Sequence, residues 1–427
     1  MTQPGTAANS SRPPRTDRLL ICAGGFVRSL GVGLTGVLLA VYLHSIGWDV
    51  ARTGVLVTLG LAGAALNTLL VSLWADRIGR RRTLVALSAL NLAGALALVW
   101  LEQPGALLAA AFFGMINGLG RDRGPAYALD QALLPETTTS EKRTWVIAWY
   151  SLILDAGLAL GSLLAALPFL LRERWGWASP ESYQAAWWIY AGLTATALAT
   201  YAMLSPRVEV ARGVARPAVP PPAVRNRVFK LAALTGMDSL GGGFLTGALV
   251  SYWFFQRFHI GEEWLGVLFF GARVANAASH LVAAWLAHRI GLVNTMVFTH
   301  IPSSLFLIAV PFAPTAAWAV ALFLAREALV EMDVPTRQSY ILAVVPPEAR
   351  AFSSGITTLT RNVAYAAAPA LAGAAMSGVS LSTPLFAGGG IKIAYDLLLY
   401  FSFRRIKPPE ELRTQNDERR TQNRAVS

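Results

Sequence analysis

Charged side chains embedded in long apolar runs are the residues of this chain best placed to do chemistry. An ion at the centre of a bilayer costs roughly 3 kcal/mol or more unless it is paired or faces water, so such residues mark solute paths, proton relays or conformational latches. Arg28 and Asp238 stand 210 positions apart in similar surroundings, Arg28-Ser29-Leu30-Gly31-Val32-Gly33 and Asp238-Ser239-Leu240-Gly241-Gly242-Gly243. At the same offset Arg121 faces Glu331 and Arg123 faces Asp333, ahead of Gly124-Pro125 and Val334-Pro335. Asp155 and Arg361 align less securely at offset 206. Every aligned pair inverts its sign. Positions related by a two-fold axis meet if they lie near it, so the inversion predicts salt bridges between the halves that form in one conformation and break in the other.

Depth then assigns roles. Arg28 and Asp238, about nine residues inside their runs, are expected to contact solute or a proton, together with Arg326 and Glu327 further along. Glu327 and Glu331 are four apart on one helical face, a like-charge spacing that raises the proton affinity of one of them. Arg121, Arg123, Glu331 and Asp333 read as an inner gate at the ends of their runs, and Asp155 and Arg361 as intramembrane charges that also fit a structural pair. Arg273, His280, Lys392 and Asp396 have no symmetry argument and receive no role. The five histidines lack metal-site spacing, Cys22 has no second cysteine, and no Walker lysine motif is present, so no cofactor, metal or ATP drive is expected.

The elements that must position these charges follow from composition. Of 427 residues, 54% are apolar and 14% charged, against about a quarter charged in a soluble domain. Apolar runs long enough to cross a hydrocarbon core of about 30 Å recur throughout. Twelve are expected, at about 19–43, 53–75, 84–101, 106–124, 145–170, 185–204, 229–255, 265–287, 295–313, 315–336, 353–376 and 384–403. The fold class is therefore an all-α polytopic membrane protein, which excludes a soluble enzyme, a coiled coil and a disulfide scaffold. With both termini on one side, that side holds 24 Lys and Arg and the opposite loops only 4, namely Arg52, Arg172, Arg174 and Arg257. The positive-inside rule then puts both termini in the cytoplasm, explains the net charge of +12, and removes the need for a nucleic-acid partner. Trp48, Trp100, Trp175, Trp177, Trp264 and Trp285 fit an interfacial belt.

Residues 1–18 and 404–427 read as cytoplasmic tails, 205–228 as a Pro-rich basic linker, and 19–204 and 229–403 as two six-helix bundles. The loop Trp74-Ala75-Asp76-Arg77-Ile78-Gly79-Arg80-Arg81-Arg82-Thr83 has a weaker copy, Leu286-Ala287-His288-Arg289-Ile290-Gly291, at offset 212. Six plus six spans in parallel repeat imply a pseudo-two-fold axis along the membrane normal and a cleft where the repeats meet.

In span count, six-plus-six division, long central loop and this short basic loop, the chain resembles the major facilitator superfamily. The usual leading glycine of the loop is Ser72 here, and His288 stands where the second copy would carry its acid. The resemblance implies alternating-access transport of a small solute, commonly proton-driven, with helices 1, 4, 7 and 10 lining the cleft. It also implies a gate in which Asp76, with Arg77, Gly79, Arg80 and Arg81 around it, meets the start of span 11 near Ser353 and Ser354. An acid is favoured at a helix N-terminus, whereas a pure topology anchor would not need one. The superfamily's drug/proton antiporters carry a proline in the span 5 signature and an arginine in span 4 that this chain lacks, which leaves uptake open beside efflux. The expectation is a monomeric permease of the inner membrane taking a small organic solute and protons, with the lipid bilayer as its other partner. A membrane enzyme or receptor is the rival class, and the metal-binding acidic loops of an enzyme are missing.

Overall fold

A computed structural model describes residues 15–209, 221–333, 337 and 349–403. The described chain is helical, and its helices fall in the order expected for twelve spans. Spans 1 to 3 are single helices: α1 (Arg15–Ser45), α2 (Val50–Ile78) and α3 (Arg80–Trp100). Span 4 is two short helices, α4 (Pro104–Gly114) and α5 (Pro125–Leu133). Span 5 is α6 (Arg143–Leu163) continued by α7 (Leu167–Trp175), and span 6 is α8 (Ser179–Ala202). Span 7 is again two pieces, α9 (Pro222–Gly243) and α10 (Gly247–Phe258). The remaining spans are α11 (Glu262–Ile290), α12 (Leu292–Ala309), α13 (Ala316–Val330), α14 (Arg350–Gly378) and α15 (Thr383–Phe403). By length and apolarity alone, five described segments suffice to cross a membrane: spans 1, 2, 3, 5 and 9.

Two expectations are corrected. Span 4 does not end at residue 124. After an irregular stretch from Met115 to Gly124 the chain resumes as α5, with Pro125 at its start. Proline suits the first turn of a helix, where its missing N–H has no partner to lose. Arg121 and Arg123 therefore lie in a break inside the span rather than at its gate end. Five of the six belt tryptophans are exposed as expected, but Trp48 is 4% exposed and belongs to the core.

The chain divides into two compact units that cut across the sequence halves. The first holds residues 1–214 with 243–274 and 365–384, and the second holds 215–242, 275–364 and 385–427. The core of the first includes Ile21, Leu84, Leu129, Tyr150, Leu154 and Tyr201. That of the second includes Val228, Leu231, Met296, Tyr395 and Leu399.

Candidate functional site

Inside the first unit, the break in span 4 is built from Ile116-Asn117-Gly118-Leu119-Gly120. The chain leaves α4 through Met115 at φ 52° and turns again at Gly120 at φ 74°. In hydrocarbon every exposed peptide group needs a partner, and Asn117 supplies several. Its Oδ1 accepts from Leu119 N at 2.8 Å, its Nδ2 donates to Arg121 O at 2.8 Å, and its own carbonyl accepts from Thr35 Oγ1 at 2.8 Å. The break in span 7 meets it. Gly247 N donates to Leu119 O and Ala248 N to Gly118 O, each at 3.1 Å, so the open N–H groups at the start of α10 are satisfied by the open carbonyls of span 4. Arg273 Nη2 donates to Gly120 O at 2.7 Å. A Cβ on Gly36 would overlap Gly120, and one on Gly247 would meet Gly36 O at 2.7 Å, so glycine is required for this approach.

The same unit is stitched by further bonds between spans. Ser251 Oγ donates to Val37 O at 2.7 Å, Ala370 N donates to Thr58 Oγ1 at 2.9 Å, and Arg172 Nη2 donates to Glu262 Oε2 at 2.9 Å. Tyr183 OH also donates to Glu262. These bonds tie the ends of spans 7, 8 and 11 to spans 1, 2, 5 and 6.

Beside the span 4 break lies a cluster around Arg28. Its Nε donates to Asp122 Oδ2 at 2.8 Å and its Nη2 to Asp130 Oδ2 at 3.0 Å, while Nη1 bonds Tyr201 OH. Asp130 Oδ2 also accepts from Tyr150 OH at 2.6 Å and Tyr201 OH at 2.9 Å. Asp130 Oδ1 is buried with no hydrogen-bond partner. On the other flank of Arg28 is a cavity of about 70 Å³ lined by Arg28, Asp122, Asn91, Asn117, Ser88 and Thr194 among others, room enough for a few water molecules.

The second unit has a larger buried cluster around Asp238. Lys392 Nζ donates to Asp238 Oδ1 at 2.8 Å, and Arg337 Nη1 donates to Asp238 Oδ2 at 2.9 Å and to Asp333 Oδ2 at 2.6 Å. His300 Nδ1 lies 2.9 Å from Asp396 Oδ2, and its Nε2 lies 3.3 Å from Lys392 Nζ. Arg28 and Asp238, expected as partners, each make their described ion pairs within their own half of the sequence. A buried ion must be neutralised at close range, and each finds its partners on neighbouring spans of the same half. Likewise Asp333 pairs with Arg337 four residues on. Glu327 meets a cation and an amide: it contacts Arg326 and accepts from Asn276 Nδ2 at 2.8 Å. Glu331 is buried at the end of α13. Arg361 Nε donates to Ser239 Oγ at 3.2 Å, and Asp155 lies within electrostatic reach of Tyr127.

The basic loop makes its bonds within the first unit. Arg80 Nε meets Asp76 and its Nη1 meets Glu136, both at 2.8 Å, and Arg80 N donates to Glu209 Oε2 at 2.5 Å, capping α3. Gly79 turns at φ 112°, Arg81 Nη2 donates to Ala202 O at 2.6 Å, and Arg77 is exposed. Asp76 is therefore held by Arg80, four residues on across the Gly79 turn.

Sequence reasoning missed Asp122, Asp130, Tyr150 and Tyr201, and gave no role to Lys392, Asp396 or His300. The available signal was the rule already applied to Arg28: a charge deep in an apolar run needs an opposite charge on a neighbouring span.

The model of the Major Facilitator Superfamily matches residues 21–330 and 231–426. An "Uncharacterized membrane protein YJR124C" of Saccharomyces cerevisiae is 26% identical over 420 residues, covering 91% of this chain and 94% of that one. Among solved structures, the nucleoside transporter NupG superposes with a TM-score of 0.70 at 12% identity, over 91% of this chain and 99% of that one. A D-xylose-proton symporter gives 0.68 at 14% identity, over 90% and 97%. The human organic anion transporter MFSD10 (TETRAN) gives 0.58 at 16%, over 90% and 99%. These likenesses show the twelve-helix fold of two six-helix bundles.

Proposed function

The chain belongs to the Major Facilitator Superfamily, a multi-pass membrane transporter rather than an enzyme, and from that premise we propose that it moves a small organic solute across the cytoplasmic membrane by alternating access, coupled to protons. The observation that carries the reading is the Arg28–Asp122–Asp130 cluster: ions kept deep in a membrane span beside a polar cavity and an interrupted helix. Interrupted spans with buried ions are expensive, and transporters use them to bind and release ligands. Neighbouring folds named for nucleoside, D-xylose–proton and organic anion transport support a small polar solute. Both termini face the cytoplasm in this reading, in keeping with the 24 to 4 distribution of basic residues. The loop Asp76–Arg81, clamped through Arg80 to Glu136, is the gate on that face.

The test is transport by the purified full chain in liposomes, with labelled nucleosides, sugars, organic acids, amino acids and cationic drugs, with and without a pH gradient. Accumulation of one class that collapses with a protonophore is expected. Transport indifferent to the gradient removes proton coupling, and no transport of any class removes the reading. The direction of the effective gradient distinguishes uptake from efflux.

A further inference from the structure

Arg77 lies in the last turn of α2, Gly79 turns the chain at φ 112°, and Arg80, Arg81 and Arg82 open α3. The acids around this turn are answered by Arg80: Asp76 and Glu136 pair with its guanidinium, and Glu209 accepts from its N–H. The other three arginines have no carboxylate partner among the described residues. Arg77 and Arg82 are exposed, and Arg81 is fixed by its bond to Ala202 O at the end of α8. All three line an open groove of about 790 Å³, together with Ile78, Val85 and Ala86. Cations gathered in a cleft attract an anion. The groove already holds one oxyanion of the chain itself, since the Glu209 carboxylate lies beside Gly79 and against the Arg80 N–H. Its surroundings are apolar as well as basic. Leu73, Trp74 and Ile78 are exposed on the last turns of α2, and residues four apart on a helix share a face, so an apolar strip leads directly to the arginines. Tryptophan favours the headgroup level of a bilayer. The second copy of the loop lacks this arrangement: Leu292-Val293-Asn294 follow Gly291 where Arg80-Arg81-Arg82 follow Gly79, and Arg289 stacks on Trp285.

We propose that this groove binds one anionic phospholipid of the leaflet that the basic loops face, its phosphate held by Arg77, Arg81 and Arg82 and its acyl chains lying along Leu73, Trp74 and Ile78. Basic pockets between spans take phosphate headgroups by charge, and guanidinium groups match phosphate oxygens in pairs. A soluble phosphate would satisfy the arginines but leave the apolar strip uncovered, which is why the lipid is the occupant. The site is measured without any transported solute and stands apart from the transport reading.

The experiment counts lipid retained by the full chain in detergent, by native mass spectrometry, during titration with phosphatidylglycerol, phosphatidylcholine or inorganic phosphate, with thermal melting as the folding control. The wild type is expected to retain one phosphatidylglycerol about tenfold or more tightly than phosphatidylcholine, whose choline cancels the phosphate charge. Arg77→Gln and Arg82→Gln should each weaken phosphatidylglycerol roughly fivefold, and together roughly 25-fold, with phosphatidylcholine unchanged. Both side chains are exposed, so the fold should survive, and the single variants decide should the double one melt early. Ile78→Ser should weaken phosphatidylglycerol through the acyl contact, and Arg289→Gln, on the other copy of the loop, should leave it within about twofold. The proposal is overturned by equal retention of the two lipids, by arginine variants that bind phosphatidylglycerol like the wild type, or by an Arg289→Gln loss as large as that of Arg82→Gln, which would make the attraction a general one of the basic loops. Inorganic phosphate that displaces phosphatidylglycerol at equal concentration, with Ile78→Ser without effect, gives the groove to a soluble anion and removes the lipid.

Discussion

The two halves of the sequence carry the same device with opposite polarity. In the first, a cation on span 1, Arg28, is held by two acids of span 4, Asp122 and Asp130. In the second, an acid at the equivalent place on span 7, Asp238, is held by Arg337 following span 10 and by Lys392 of span 12. The repeat preserved the position of a buried charge and the need for an opposite charge, but not the sign. A charge neutralised on its own half stays neutral whatever the halves do in a transport cycle, whereas a bridge between halves would expose two buried ions each time it opened. The halves also differ in reserve. Arg28 is the cation on which both Asp122 and Asp130 converge, whereas Arg337 retains Asp333 if Asp238 is lost.

The largest effect expected from this comparison is that of the double exchange Arg28→Asp with Asp238→Arg. If the two residues served each other, exchange would restore the pair. With partners inside each half, it places three acids together in one cluster and three bases together in the other, so the double variant should be worse than either single variant and yield little folded protein. Recovery of a monodisperse, heat-stable protein would return the pairing to the space between repeats.

Next come the single variants. Arg28→Ala leaves two buried acids without their cation and should cost about 3–5 kcal/mol, the range for breaking a buried pair from one side. Asp238→Asn keeps an amide beside Lys392 and leaves Arg337 on Asp333, so it should cost less. Thermal melting in detergent ranks them, and an Asp238→Asn loss equal to that of Arg28→Ala would mean the second cluster has no such reserve.

The twelve spans were legible because a hydrocarbon core imposes length and apolarity on each segment independently of the rest. The break in span 4 was not, since Asn117-Gly118-Leu119-Gly120 and Gly124-Pro125 sit at the end of an apolar run and read as its terminus. Once the span was closed at residue 124, Asp130 fell into a loop and Arg28 lost its partner. Lys392, Asp396 and His300 were visible as polar residues in apolar runs. Their connection to Asp238 is made by two different spans, 9 and 12, and sequence spacing carries no information about which spans touch.

A smaller effect is expected at the crossing of spans 1, 4 and 7. Gly247→Ala drives a methyl group toward Gly36 O, an overpacking that typically costs about 1–3 kcal/mol. The next carbonyl along span 1, that of Val37, already accepts from Ser251 Oγ on α10, so the helix is pinned one turn further on and cannot tilt away freely. A melting temperature unchanged in Gly247→Ala would show that α10 can withdraw from its neighbours at no cost.

The smallest difference separates the two copies of the basic loop. Both turn on a glycine with positive φ, Gly79 at 112° and Gly291 at 83°. In the first, Arg80 bridges Asp76 and Glu136. In the second, Arg289 stacks on Trp285 at 4.7 Å. Charge-assisted hydrogen bonds of partly buried groups contribute about 1.5–3 kcal/mol, whereas an exposed cation–π contact contributes about 0.5–1 kcal/mol. If the first loop is the gate, Arg80→Ala should slow transport about tenfold, Asp76→Asn should slow it less because Glu136 still holds Arg80, and Arg289→Ala should leave the rate within about twofold. Initial rates in liposomes, corrected for the amount of folded protein, rank the three. A slower Arg289→Ala than Arg80→Ala would move the gate to the second half, where the acid has been replaced by His288 and the closing contact would have to come from the arginine itself.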